Sequence, residues 1–310
     1  MSPMIGIVTL NPCVDKTLFL PALPAQGVHT ARKVTHIAGG NGNNIARVLG
    51  ALGAPNRSLV MTAGPTGAHI RALMAGDGLS ADFVEVSGLS RTVTTLMGND
   101  WRQVAVKEPG PQISAPDAVR VWAAFIEFLD TVDFLCLSTS IPCPALADFL
   151  PRAIAAARER GVTTLLDTGG PALSAALAAV PDYAKPNREE LAEAWGLAPG
   201  EEAERAAVAR MAAQGIAHPV LSLGDRGALS ARGGRLLCVT PPTVAAVNTV
   251  GCGDSFVAGL IYGVSKGMPW EECLRWGAAA AAANAAKWEA VRLSRAEIEP
   301  LLPLVGIREA

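Results

Sequence analysis

Short apolar runs alternate with Ala/Leu-rich stretches along most of the chain. Residues 5–10, 58–62, 134–138, 163–167 and 219–223 predict strands, and residues 43–52, 67–75 and 144–160 predict helices. This β-α-β rhythm predicts an α/β fold, a mostly parallel sheet with helices on both faces. Ligands in such sheets bind beyond the carboxyl ends of the strands. Polar motifs stand at those ends, in residues 11–15, 138–142 and 167–170 and at Gly224-Asp225. Residues 13–37 and 81–108 break the rhythm with alternating apolar and polar positions. Runs 92–97 and 103–106, split by Gly98-Asn99-Asp100, predict antiparallel strands. We read these segments as a small β lid inserted twice into one α/β domain spanning residues 1–310. Such a lid has a free face and an edge, which favours a homodimer through the lid. The alanine-rich run 278–286 predicts a tightly packed helix.

Composition narrows the function classes. The chain has 310 residues, half of them hydrophobic and 17% charged, which suits a well-buried globular enzyme. A net charge of −2 leaves no basic footprint for nucleic acid. No apolar run reaches membrane-spanning length. The start lacks a basic region, and its apolar stretch stops at Asn11-Pro12, so it reads as a first strand rather than a signal peptide. The six cysteines form no C-x-x-C pair and read as reduced thiols of a cytoplasmic protein. His29, His36, His69 and His218 are scattered without zinc-ligand spacing.

The strongest chemical signal is Asn248-Thr249-Val250-Gly251-Cys252-Gly253-Asp254-Ser255, followed at once by an apolar run. It reads as a loop feeding the first turn of a buried helix. The first N–H groups of a helix lack internal partners and lie at the positive end of its dipole. Gly251 and Gly253 let the backbone approach a ligand, so the turn suits phosphate oxygens or growing negative charge. Asp254 beside an anion site can take a proton from an attacking hydroxyl. The alternative is a plain helix start with Asp254 as its cap.

A second glycine-rich helix start is Ala38-Gly39-Gly40-Asn41-Gly42-Asn43-Asn44. It lacks the third glycine of the dinucleotide fingerprint, and no P-loop sequence occurs. Backbone N–H groups and asparagine amides here suit a polyhydroxyl ligand, or the glycines serve a turn of positive φ.

Taken together, these two glycine-rich helix starts resemble the ribokinase-like (phosphofructokinase-B) sugar kinases. The nearest likeness is the branch of 1-phosphofructokinases and tagatose-6-phosphate kinases. Further pieces follow in the family's order: Thr9-Leu10-Asn11-Pro12-Cys13-Val14-Asp15, Lys185-Pro186-Asn187-Arg188-Glu189-Glu190, and Ser222-Leu223-Gly224-Asp225-Arg226-Gly227-Ala228. The resemblance implies a ribokinase-like fold, ATP and Mg²⁺ as cofactors, and a sugar or sugar phosphate as acceptor. It implies Asp254 as catalytic base, with Gly251, Cys252 and Gly253 as the anion hole. It implies Asp15, Gly39, Gly40, Asn41, Asn44 and Ser140 around the sugar, with Arg91 for a phosphate already on it. Asn187 and Glu190 would organise Mg²⁺ through water, and Ser222, Gly224 and Gly227 would line the nucleotide pocket, with Asn187 alongside and Asn284 near the adenine.

The residues read alone keep their plainer meanings. Asn187 and Glu190 also fit a helix start, Arg91 a solvated lid charge, Asp15 a turn cap, and Asp225-Arg226-Gly227 a hairpin turn. A carboxylate at a helix N-terminus is a weak base, although the proton need leave only late in a loose transition state. Asn41 stands where the branch has lysine, and Thr139 where it has glycine. Residues 104–107 also lack the usual Thr-Glu before the shared Glu108-Pro109-Gly110-Pro111. The expected activity is phosphoryl transfer from ATP to a ketohexose phosphate. Its alternatives are a kinase of an unphosphorylated sugar or nucleoside, and a sensor that binds without turnover.

Overall fold

The computed structural model describes residues 2–24, 26–99 and 102–309. In chain order the first elements are β1 (Ile5–Thr9), β2 (Cys13–Phe19), β3 (Lys33–Gly39), α1 (Asn41–Ala51), β4 (Asn56–Ala63), α2 (Gly64–Gly76), β5 (Ala81–Val86), β6 (Arg91–Met97) and β7 (Gln103–Lys107). Next come α3 (Ala115–Leu129), β8 (Phe134–Ser138), α4 (Phe149–Glu159), β9 (Thr163–Asp167), α5 (Ala172–Ala178), β10 (Tyr183–Ala184) and α6 (Arg188–Trp195). The rest are α7 (Glu201–Ala213), β11 (His218–Ser222), β12 (Ala228–Arg232), β13 (Arg235–Thr240), α8 (Cys252–Ser265), α9 (Trp270–Ala285), α10 (Arg295–Ile298) and β14 (Gly306–Glu309).

Ten strands form one sheet in the order β14-β13-β12-β11-β10-β9-β8-β1-β4-β5. The stretch from β11 to β5 is parallel throughout, so the carboxyl ends of β1, β8, β9, β10 and β11 share one edge. The far strands β12, β13 and β14 are antiparallel. Strands β1 and β8 are fully buried, which fits their continuous apolar runs. One core, built on Phe125, Phe149 and Leu173, covers one face; another, built on Ile45, Ile261 and Leu274, covers the other. The glycines of α8 permit its close contact with α9, since a Cβ at Gly259 would lie 2.4 Å from the Trp276 carbonyl oxygen. The alanine-rich run is thus a packed helix.

The lid is a four-stranded sheet in the order β3-β2-β6-β7. Its bounds differ from the expected ones. Residues 81–86 pair with β4 as the edge of the large sheet, so the second lid segment begins at Arg91. The hydrophobic alternation of β5 is that of a sheet edge with one exposed face, which a lid strand shares. The lid is also mixed, because β2 and β6 run parallel. Asp100 of the expected Gly98-Asn99-Asp100 turn lies outside the described residues. The stretch 144–160 splits into a short 3₁₀ turn at Pro144–Leu146 and α4.

Candidate active site

Helix α8 starts beyond the shared strand edge, and its first turn is unusual. Gly251 adopts φ 76°, and a Cβ there would lie 2.6 Å from Val291 Cγ1. Asp254 makes no capping bond to its own helix, which removes the plain reading of a capped start. Its Oδ2 instead accepts a 2.7 Å hydrogen bond from Asn44 Nδ2 on α1, joining the two glycine-rich segments. Asp254 is 8% exposed, and burial, reinforced by the charge of Asp167, raises its pKa to about 7; the Asn44 hydrogen bond and Lys185 oppose the rise. The weak base expected at a helix N-terminus is therefore corrected. Desolvation of the buried carboxylate is the main cause.

Lys185, directly after β10, is buried with Asp167 from the end of β9, at 2.9 Å. Burial works to lower the Lys185 pKa, but Asp167, Glu190 and Asp254 together raise it. A Cβ on Gly253 would lie 3.8 Å from Lys185 Nζ, so this ammonium stands beside the glycine turn. Sequence reasoning missed Lys185 as a site residue and gave Asp167 only a supporting or turn role at the end of a buried strand. The available signal was Asp167 at the end of an apolar run and Lys185 in the Lys185-Pro186-Asn187 motif, on strands that turn out to be neighbours.

Asn187 and Glu190 form a reciprocal cap: Glu190 N–H donates to Asn187 Oδ1, and Asn187 N–H donates to Glu190 Oε2, both at 2.8 Å. The plain helix-start reading thus holds for these bonds. Glu190 Oε1 has no hydrogen-bond partner among the described residues, and burial with the charge of Asp167 raises the Glu190 pKa.

A cleft of about 470 Å³ runs along this end, lined by Lys185, Asn187, Ser222, Gly224, Gly227, Thr249, Cys252 and Gly253. It adjoins an apolar cleft walled by Pro241, Pro242, Val244, Ala246, Ala281 and Ala285. Asn284 is not part of either. It is fully buried and braces the glycine turn: its Nδ2 donates to the Val250 carbonyl at 2.8 Å, and its Oδ1 accepts from Val291 N–H at 2.6 Å. α9 turns Ala281 and Ala285 toward the cleft and Asn284 inward, so its amide is spent within the protein. A larger groove, about 690 Å³, between α7 and the β12–β13 turn contains none of these residues.

Under the lid, Asp15, Thr17, Thr35, Ile37, Thr95, Met97 and Gln103 line a pocket with Asn248, Val250 and Arg292. Gly39 is obligatory, since a Cβ would lie 1.9 Å from Asp15 Oδ2, and Gly40 has φ 104°. Cys13 Sγ donates to Asp15 Oδ1 at 3.3 Å. Burial raises the Asp15 pKa against the charges of Arg91, Arg47 and Lys107. Arg91 donates to the Asn11 carbonyl at 3.1 Å, while its buried Nε lacks a partner among the described residues. Ser140 is exposed and accepts from Asn11 Nδ2 at 2.9 Å; Asn41 is exposed at the start of α1. Thr139 does not crowd the pocket. Its side chain is buried, and Oγ1 accepts from Leu10 N–H at 2.8 Å, tying the ends of β1 and β8 together.

Residues 2–294 match the pfkB family carbohydrate kinase profile. The chain is 31% identical over 309 residues to a 1-phosphofructokinase of Bacillus subtilis, covering 98% of this chain and 99% of that one. It is 34% identical over 282 residues to a 1-phosphofructokinase of Rhodobacter capsulatus, covering 89% and 88%. Among solved structures it is similar to phosphofructokinase-2 of Escherichia coli in complex with fructose-6-phosphate. That match has a TM-score of 0.86 and 26% identity, and covers 97% of this chain and 98% of the other.

Proposed function

Because this chain belongs to the pfkB family of carbohydrate kinases, we propose that it transfers the γ-phosphoryl group of ATP to a hydroxyl of a ketohexose phosphate. Fructose 1-phosphate, fructose 6-phosphate and tagatose 6-phosphate are the candidates. The observation that carries the reading is the loop of residues 248–253. It lines the lid pocket through Asn248 and Val250, and the neighbouring cleft through Thr249, Cys252 and Gly253. Buried Lys185 lines the cleft beside Gly253, and buried Asp254 follows Gly253 in the first turn of α8.

The acceptor lies in the lid pocket and ATP in the cleft, with the adenine against Pro241, Pro242, Ala281 and Ala285. The acceptor hydroxyl gives its proton to Asp254 as its oxygen bonds to the γ-phosphorus and the bond to ADP breaks. N–H groups of Gly251 and Gly253, with Lys185, take up charge on the transferring group without reorganising, whereas the expected Cys252 donor is corrected, because its N–H donates to the Thr249 carbonyl at 3.2 Å. Mg²⁺ supplies charge neutralisation between the phosphates of bound ATP. Among the described residues no group of three or more acidic, His or Cys side chains forms a cage. One free carboxylate oxygen, Glu190 Oε1, beside the charge of Asp167 suits a hydrated ion held mostly by ATP.

Two lid cations suit the phosphate already on the acceptor. Cross-strand register puts Asp15, Val93 and Lys107 in one row, with Arg91 two residues before Val93, so all four side chains share the pocket face. Lys107 has no ion pair or hydrogen bond among the described residues, and its charge acts on Asp15 and Cys13 beside that of Arg91.

The opposite lid face supports a homodimer. Val34, Leu18, Leu96 and Val104 form an apolar cross-strand row there, with Val34 47%, Val104 51% and Val106 60% exposed. A second copy burying this row against its own is the partner we propose. No described helix is long and apolar enough to cross a membrane, and all six cysteines are free, which supports a cytoplasmic setting.

The test is ADP release with Mg²⁺ across phosphorylated and free sugars and nucleosides. Turnover with one ketohexose phosphate supports the reading. Turnover with free acceptors alone would make neutral Asn41 the mark of a changed sugar site. Binding of ATP without turnover on any acceptor would leave the sensor reading.

A further inference from the structure

The Asn44 amide donates to Asp254 in one orientation only. With Nδ2 on Asp254, its Oδ1 faces back along α1, where Arg47 Nη1 donates to it at 3.1 Å. Arg47 is 7% exposed, and its other donors are committed nearby. Its Nη2 donates to the Ala38 carbonyl and to Asp77 Oδ2, each at 2.8 Å, and its Nε donates to Asp77 Oδ2 at 3.0 Å. Asp77 also accepts from Arg292 Nη2 at 2.6 Å, and Arg292 lines the lid pocket. Arg47 itself lines neither that pocket nor the cleft along α8.

We propose that Arg47 is a positioning residue for the proposed base: its guanidinium fork, clamped by Asp77, locks the Asn44 amide with its NH₂ toward Asp254 and leaves Asp254 Oδ1 open to the acceptor hydroxyl. An asparagine amide carries a donor end and an acceptor end of similar shape. Flipped, it would set its carbonyl against the carboxylate, which then holds its proton. A guanidinium has donors only and stays charged, so it can bond the carbonyl end alone. It therefore selects one of two amide orientations without touching the reacting atoms. The charges that act most on Asp254 are Asp167 on β9, Lys185 after β10 and Asp15 on β2. The influence of Arg47 runs through Asn44.

This inference rests on Asp254 as the base, which Asp254→Asn tests separately by losing turnover. The experiment on Arg47 measures kcat/KM for the acceptor against pH in the wild type and in Arg47→Lys, Arg47→Met and Asp77→Asn, with folding followed by circular dichroism. Arg47→Lys keeps a cation beside Asp77 but cannot fork to Asn44. The expected result is an acid limb moved to higher pH by about one unit. At neutral pH the loss is roughly tenfold, recovering in alkali, with KM for ATP unchanged. Asp77→Asn gives a smaller shift of the same sign and carries the test if the Arg47 variants do not fold. An acid limb at the wild-type pH in Arg47→Lys and Asp77→Asn, or a loss equal at all pH values, overturns the proposal, because a merely structural role would not recover in alkali.

Discussion

Lys185 Nζ lies 2.9 Å from Asp167 Oδ1, with both side chains buried. The other oxygen of Asp167 accepts from Ser138 Oγ at 2.7 Å. This single ammonium also faces the charges of Glu190 and Asp254. Three carboxylates around one cation leave excess negative charge in a low dielectric. The raised pKa of Asp254 is the consequence, with burial its main cause and Asp167 next.

Removing the cation should therefore act on stability and on proton affinity together. Lys185→Met leaves a buried carboxylate unpaired, at a cost of about 3–5 kcal/mol in urea unfolding near neutral pH. Lys185 lowers the Asp254 pKa in the wild type, so its loss raises that pKa further and moves the acid limb of kcat/KM upward. Adding Asp167→Asn should recover part of both effects, because it removes the stranded charge. Ordinary stability and an unmoved acid limb in Lys185→Met would show that the pair is not coupled to the base.

The pH dependence of the proposed base has a definite sign. The folded pKa of Asp254 is about 7 against 3.8 for the free group, so the folded state binds the extra proton between those values. Stability from this residue thus falls as pH rises from about 4 to about 7 and is level above. Activity runs the other way, since the base works deprotonated, and kcat/KM should fall as pH drops through about 7. Asp254→Asn should lose at least about a hundredfold in kcat while binding ATP. It should also resist urea unfolding more than the wild type near pH 8, by on the order of a few kcal/mol, with the gap closing toward pH 4. A variant less stable than the wild type at both pH values would contradict the buried, strained carboxylate.

What the chain reveals before folding is what local pattern encodes. The apolar runs, the glycine turns and the first strand each rest on neighbours in sequence, and each forms where the pattern puts it. Pairings across the fold were not legible. Asn44 and Asp254 are 210 residues apart, and nothing local marks them as partners. Lys185 read as part of a motif, yet its role depends on β9 and β10 lying side by side. Asn284 illustrates the reverse. An asparagine in an alanine-rich helix suggests a ligand contact, but one step around the helix from Ala285 it points inward and holds the Val250 turn. The lid boundary was misplaced for a related reason, because a strand at the edge of a large sheet alternates much as a lid strand does.

Phosphate recognition by the lid should separate from catalysis. Arg91 and Lys107 share the pocket face with Asp15, and neither is near the α8 turn in sequence. Lys107→Met should raise KM for the phosphorylated acceptor by roughly tenfold and leave KM for ATP unchanged. Arg91→Met should do more, since the Arg91 charge acts more strongly on Asp15 than that of Lys107 does. Inorganic phosphate should compete with the acceptor in the wild type and lose that effect in the double variant. An equal rise in KM for a free sugar would mean that these cations shape the lid rather than bind a phosphate.

The lid's outer face offers the last test. Val34, Leu18, Leu96 and Val104 stack in one cross-strand row, and Val106 lies one row along. Exposed β-branched residues in register present a flat apolar surface next to the β7 edge, a surface that a lone chain in water would be driven to cover. Val104→Glu with Val106→Glu places two carboxylates on that face and, in a symmetric pair, opposes them to their own copies. The inward face, with Asp15 and Arg91, is untouched by either change. Sedimentation should show a dimer for the wild type and a monomer for the double variant. If the lid is held over the pocket by its partner, acceptor KM should rise in the monomer while the far-UV spectrum stays the same. A wild type that sediments as a monomer at micromolar concentration would remove the lid interface, leaving the site on α8 unaffected.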